Sequence, residues 1–311
     1  MVVPGHVGSE ARLAPTGLRG LIGRRRLTSF FVLAFGLSWL AWTPYVLSGN
    51  GLGVLPFRFP VVLGTTQVFG VLPGAYLGPI LAAYIVTRVA EGPAGIRRWA
   101  GRLLKWRVNW RWYAGVLLGV PLALTAVSIP FAGGLANVHL PAAAVLIAYV
   151  PALVFQMITT GLAEEPGWRD FALPHLQPRF GALRGTLILG PLWGAWHLPL
   201  FLSEWGGWPN VDWVRPVEFV ATAMVFSVVM TWVFNRTGES LPLAMLLHTS
   251  VNNFFSVAWS EMFPAVDAQG AAHIQLITAS VVAAVLLIST KGRLGYRGQP
   301  EAAGVIVHSG P

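Results

Sequence analysis

Apolar residues along this chain come in long unbroken blocks, not in the narrow stripes of an amphipathic soluble fold. About 20 apolar residues in a helix cross the hydrocarbon core of a bilayer, so blocks of roughly that length read as membrane spans. Eight are legible, over residues 28–48, 61–89, 113–133, 141–163, 181–202, 216–235, 240–260 and 272–290. The pattern predicts an all-α integral membrane protein, a bundle of about eight transmembrane helices. Residues 28–290 form its single transmembrane domain. Residues 1–27 are expected to be a disordered basic tail and 291–311 a cytoplasmic tail. The first block follows Arg24-Arg25-Arg26 but is long, bears tryptophan and lacks a small-residue cleavage pattern, so it reads as a span and not as a signal peptide.

The polar positions between the blocks set an orientation. With both termini inside and the spans alternating, nineteen of the 21 Lys and Arg residues fall on the inner side. Only Arg58 and Arg215 fall outside. This is the positive-inside bias, and it predicts a multi-pass protein of the cell membrane with cytoplasmic termini. Trp42, Trp99, Trp106, Trp110, Trp112, Trp205, Trp208 and Trp213 gather near span ends, as an aromatic belt does. Residues 94–112 mix Arg and Lys with Trp and Leu at helical spacing, which predicts a basic amphipathic helix on the inner surface.

Composition agrees and narrows the classes. The chain is 55% hydrophobic and only 11% charged, against roughly 25% charged in soluble domains. Its net charge of +9 sits beside apolar blocks, so topology explains it and a nucleic-acid partner is not expected. Membrane lipid is. The absence of cysteine excludes disulfides, thiolate nucleophiles and thiolate metal sites.

Ionisable residues inside spans are costly and mark functional sites. Glu164-Glu165 closes the fourth block, in GLAEEPGWRDF. Arg169 lies four residues after Glu165, on the same face of a continuous helix, and can pair with it. Glu164 points about 100° away and is free to face the bundle interior. Pro166 and Gly167 predict a kink there. His248 and Asn252, four apart in the seventh block, stack on one face and could together hold a water or an oxyanion. His197 stands in the fifth block, one turn after Trp193. Counted from the block's inner end it falls closer to the outer half than Glu164 does.

These residues resemble the motifs of the CPBP intramembrane proteases, the family of the CAAX prenyl endopeptidases and bacteriocin-processing (Abi) proteins. The first motif, EExxxR, is here Glu164-Glu165-Pro-Gly-Trp-Arg169. The second, FxxxH, is Trp193-Gly-Ala-Trp-His197, with Trp in place of Phe. The third, HxxxN, is His248-Thr-Ser-Val-Asn252. The three occur in order, and the resemblance covers about 140–260, the expected protease core. It implies an intramembrane endopeptidase acting on membrane-associated peptides or proteins. In that reading Glu164 activates a water, His197 positions it, and His248 and Asn252 stabilise the oxyanion. Glu165, Arg169 and Trp193 support them. Metal use stays open. Glu164, His197 and His248 could form a His₂Glu zinc site, but the spacing is not HExxH, and the same residues can act on water by hydrogen bonding alone. The other class of reading is a non-catalytic membrane scaffold, transporter subunit or immunity protein that retains the motif residues.

Overall fold

The computed structural model describes residues 17–298. The chain is an all-α integral membrane protein. Helix α1 (Gly17–Arg24) leads directly into α2 (Arg26–Leu47). The described part of the expected disordered tail is therefore mostly helical, and residues 1–16 and 299–311 lie outside the described residues. A turn at 62–65 delays the second span, which starts at 67 and not 61. Helix α3 (67–91) ends at Gly92, whose φ of 65° no helix accommodates, and Pro93 opens α4 (93–104).

The amphipathic helix expected over 94–112 is thus two pieces. Its first part is α4. Residues 105–109 leave the helix, and Asn109 then caps α5 (Trp110–Phe131), its side chain accepting from the Arg111 amide at 3.0 Å.

A 60-residue helical run, Ala143–Leu202, divides at Gly181, where φ is 77°. Its parts are α6 (143–180) and α7 (182–196). Gly185 packs on Leu176, so the two fold back on one another as a hairpin. Helix α8 (Val214–Arg236), α9 (241–262) and α10 (Ala268–Thr290) complete the bundle. Six helical runs are long and apolar enough to cross a membrane. The eight expected spans differ from these six for two reasons: the hairpin counts as one run, and His248, Asn252 and Asn253 dilute the apolar character of α9.

Helix α8 lies between α7 and α10, α9 packs on α6, and α2 packs on α3. The α7–α8 approach rests on Gly190 and Gly194, one helical turn apart. A Cβ on Gly190 would stand 2.6 Å from the Cα of Met224, and one on Gly194 2.8 Å from the Cα of Val220. Small residues at this spacing let helix backbones touch, which drives helix association where no water is left to expel. One tryptophan assigned to the interfacial belt belongs to the interior: Trp42 is fully buried and donates to the Val71 carbonyl at 2.7 Å, while the half-buried Trp99 donates to the Pro166 carbonyl at 3.0 Å.

Candidate active site

Glu164 and Glu165 do not end a span. They lie within α6, which runs on to residue 180 with helical backbone at Pro166 and Gly167. The expected kink is replaced by two wider π-type turns, Met157–Gly161 and Trp168–Ala172, on either side of the glutamates. Such turns absorb a misfit in the hydrogen-bond ladder without breaking the helix. The hairpin also removes the depth mismatch of His197. Glu164 lies seventeen residues before Gly181 and His197 sixteen after it. At about 1.5 Å per residue both stand roughly 25 Å from the bend, at one level.

Neighbouring side chains then meet. Glu164 is buried and accepts a hydrogen bond from Trp193 Nε1 at 2.8 Å. His197 closes α7, and its Nδ1 lies 3.0 Å from the Trp193 carbonyl. A carbonyl only accepts, so Nδ1 carries the hydrogen and Nε2 is left with a lone pair. That Nε2 lies 3.9 Å from Glu164 Oε2. Trp205 stacks on the His197 ring at 5.6 Å, and Phe219 meets it edge-on at 5.0 Å.

His248 on α9 is held from behind. Its Nδ1 lies 2.7 Å from Glu165 Oε1. The sequence pairs Glu165 with Arg169, and the structure adds His248 to that pair. Arg169 Nε stands 3.4 Å from Glu165 Oε2, both side chains having no solvent exposure. The guanidinium also donates to Ser227 Oγ at 3.2 Å and lies 4.2 Å from the centre of the Trp193 ring. Asn252 is half-buried, and it shares a cavity of about 760 Å³ with Glu164, Trp193, His197 and His248. Asn253, its neighbour, faces elsewhere, donating to the Tyr149 carbonyl at 3.0 Å.

Among the described residues no group of three or more His, Asp or Glu side chains is placed to hold a metal ion. Glu164, His197 and His248 share the cavity without converging as a His₂Glu set. Glu164 Oε2 is engaged with the Trp193 N–H, His197 Nδ1 with a backbone carbonyl and His248 Nδ1 with Glu165. The reading as a metalloprotease therefore finds no support in the donor geometry.

Three features escaped the sequence reading. Trp193 was expected as a motif aromatic, and its N–H is in addition a donor to Glu164. Trp205 was placed in the interfacial belt but stacks on His197. Arg215 was counted only as an outer cation, yet it lines the same cavity. Trp205 and Arg215 carry no signal in spacing, because each meets the site from a different helix or loop.

Residues 145–254 match the family described as type II CAAX prenyl endopeptidase Rce1-like. Every motif residue from Glu164 to Asn252 falls inside that match. The chain is also similar to a CAAX prenyl protease 2 of Methanococcus maripaludis, 24% identical over 141 residues. That similarity covers 44% of this chain and 48% of the relative, so the chain spans about half the length of the relative it matches.

Proposed function

We propose that this chain is an intramembrane endopeptidase of the CAAX-protease type, hydrolysing peptide bonds of membrane-associated peptides or proteins with a water activated by Glu164. The observation that carries the reading is the meeting of Glu164, His197, His248 and Asn252 on one cavity, with Glu164, His197 and His248 each held by a partner behind it.

The gap of 3.9 Å between Glu164 Oε2 and His197 Nε2 exceeds a hydrogen bond and is within reach of one shared water. Both atoms accept, so that water turns its hydrogens to them and a lone pair toward the substrate. Glu164 takes one proton as the water oxygen attacks the scissile carbonyl carbon. The oxyanion is received by Asn252 Nδ2 and by Nε2 of His248. His248 donates there in its imidazolium form, with its other N–H on Glu165. Two carboxylates, the Arg169 guanidinium and that imidazolium sum to no net charge, which a buried cluster requires. The proton on Glu164 then passes to the departing nitrogen, the C–N bond breaks, and an acid and an amine are released.

The test is cleavage by the protein in nanodiscs of prenylated and unprenylated peptide pools, read by mass spectrometry. Glu164→Gln is expected to lower the rate at least about a thousandfold, and Asn252→Ala roughly a hundredfold, the value of one oxyanion donor. Products that persist with folded Glu164→Gln protein would refute the mechanism. A chelator arm on the wild type reads metal dependence directly.

A further inference from the structure

A second cavity, of about 530 Å³, lies among α5, α8, α9 and α10. Along α5 its lining runs from Arg111 to Leu124, roughly 20 Å at about 1.5 Å per residue. Apart from Arg111, Gln275 and Thr278 the wall is aliphatic, aromatic or glycine, and the Thr278 hydroxyl is spent on the Ile274 carbonyl of its own helix at 2.7 Å. At the Arg111 end the rings of Trp112 and Trp232 meet at 5.0 Å. At the other end Phe226 and Gln275 line both this cavity and the one that holds Glu164. The Phe226 ring stands 6.3 Å from that of His248, so the two cavities are separated by a single aromatic layer.

The shape selects a hydrocarbon chain. Gly115 and Gly119 on α5 repeat the spacing at which Gly190 and Gly194 bring α7 onto α8, yet a Cβ on either would meet nothing within 4 Å. The space that they leave belongs to the cavity. Water does not fill an apolar space of this kind. A helix is too wide for it: 20 Å of helix about 10 Å across takes up on the order of 1,500 Å³. A methylene group needs about the volume of a water molecule, roughly 30 Å³, so the cavity holds a single chain of about eighteen carbons. Its length of roughly 20 Å is also the depth of one bilayer leaflet with its headgroups.

The charge selects the head of that chain. Arg111 is exposed at the mouth, its side chain enters no ion pair or hydrogen bond among the described residues, and no Asp or Glu lines the cavity. Glu239, in the α8–α9 turn, is paired with Arg102 at 2.8 Å. A basic mouth on an apolar slot between membrane helices suits an amphiphile with an anionic head. We infer that this cavity binds one anionic phospholipid from the leaflet on the Arg111 side. One acyl chain lies along Gly115 and Gly119 with its end toward Phe226, and the phosphate pairs with the Arg111 guanidinium. The inference stands apart from the endopeptidase reading, since it uses none of the groups assigned to catalysis.

Native mass spectrometry of the full-length protein, released from detergent micelles, tests this. The protein is titrated with palmitoyl-oleoyl phosphatidylglycerol and, separately, with phosphatidylcholine of the same chains. The first phosphatidylglycerol is expected to bind about fivefold tighter than the first phosphatidylcholine, the effect of one arginine on an anionic headgroup. Arg111→Gln is expected to bring that ratio near one, and Arg111→Lys to keep most of it. Gly119→Leu puts a side chain into the slot where it meets no neighbour, so the fold is kept while the first binding of both lipids weakens at least about tenfold. Equal affinity for the two lipids in wild type, or tight first binding that survives Gly119→Leu, would overturn the inference. So would a prenylated peptide that binds tighter than phosphatidylglycerol and is lost in Gly119→Leu, which would give the slot to a substrate tail. A dimer that the same substitution dissolves would give it to a second copy of the chain, with the same consequence.

Discussion

Trp193 meets three polar groups of the site at once: its N–H donates to Glu164, its face carries the Arg169 guanidinium, and its edge abuts the His248 ring at 5.2 Å. The related motif has Phe at this position, which would keep the packing and the cation contact and lose the donor. Trp193→Phe is therefore expected to lower kcat roughly tenfold, the worth of one hydrogen bond to a charged group, with a smaller effect on KM. Steady-state kinetics on a peptide that the wild type cleaves reads the two separately. Arg169 makes a different demand. It is a fully buried charge whose compensation is Glu165, so Glu165→Ala should cost about 3–5 kcal/mol and show as a lower unfolding temperature in detergent, beyond any loss of activity. The identities of Glu164, Glu165, Arg169, His197, His248 and Asn252 were legible from residue type and spacing. Their partners were not. Glu165 was assigned to Arg169 because they share a helix face, whereas its 2.7 Å contact to His248 crosses 83 positions of sequence.

At the scale of elements, α7 decides whether the site exists. One face of it carries Gly190 and Gly194 against α8, and another carries Trp193 and His197 toward α6 and the cavity. Close approach on the first face positions the second. Gly194→Val places a side chain 2.8 Å from the Val220 backbone and pushes α7 away from α8. The expected result is a loss of about 1–3 kcal/mol together with a large loss of cleavage, although no site residue has changed. Thermal unfolding and peptide cleavage on the same preparation check both. Apolar periodicity predicted α7 as a span but was silent on which face met which helix, since every face of a buried membrane helix is apolar. It also missed that α6 runs on through Glu164. A proline after two charges reads as a helix end, and only the surrounding packing showed the strain taken up in π-type turns.

The whole molecule is closed at one end by a polar clasp. Arg102 on α4 bonds Asp170 on α6 at 2.7 Å and Glu239 in the α8–α9 turn at 2.8 Å, and Lys105 donates to the Gly238 carbonyl at 2.9 Å. Asp170 is buried, so Arg102→Ala strands its charge and should cost about 3 kcal/mol, read as a lowered unfolding temperature. The charge bias also makes a prediction at this scale. The chain has no cysteine, so single cysteines can be introduced on an empty background. Arg107→Cys is expected to react with a membrane-impermeant maleimide only after the cell is opened, and Arg58→Cys in intact cells. The reverse pattern would invert the orientation. By itself the sequence determined the solvent, the helical class and the approximate spans, and it singled out the polar residues of the candidate site. Those follow from local quantities: backbone groups in lipid must be satisfied within a helix, and charges placed there must have a purpose. Tertiary structure alone decided the hairpin at Gly181 that levels Glu164 with His197, the Glu165–His248 contact, the donor role of Trp193 and the entry of Arg215 into the cavity. Each is a meeting of segments far apart in the chain, set by helix packing that no local pattern of apolar residues specifies.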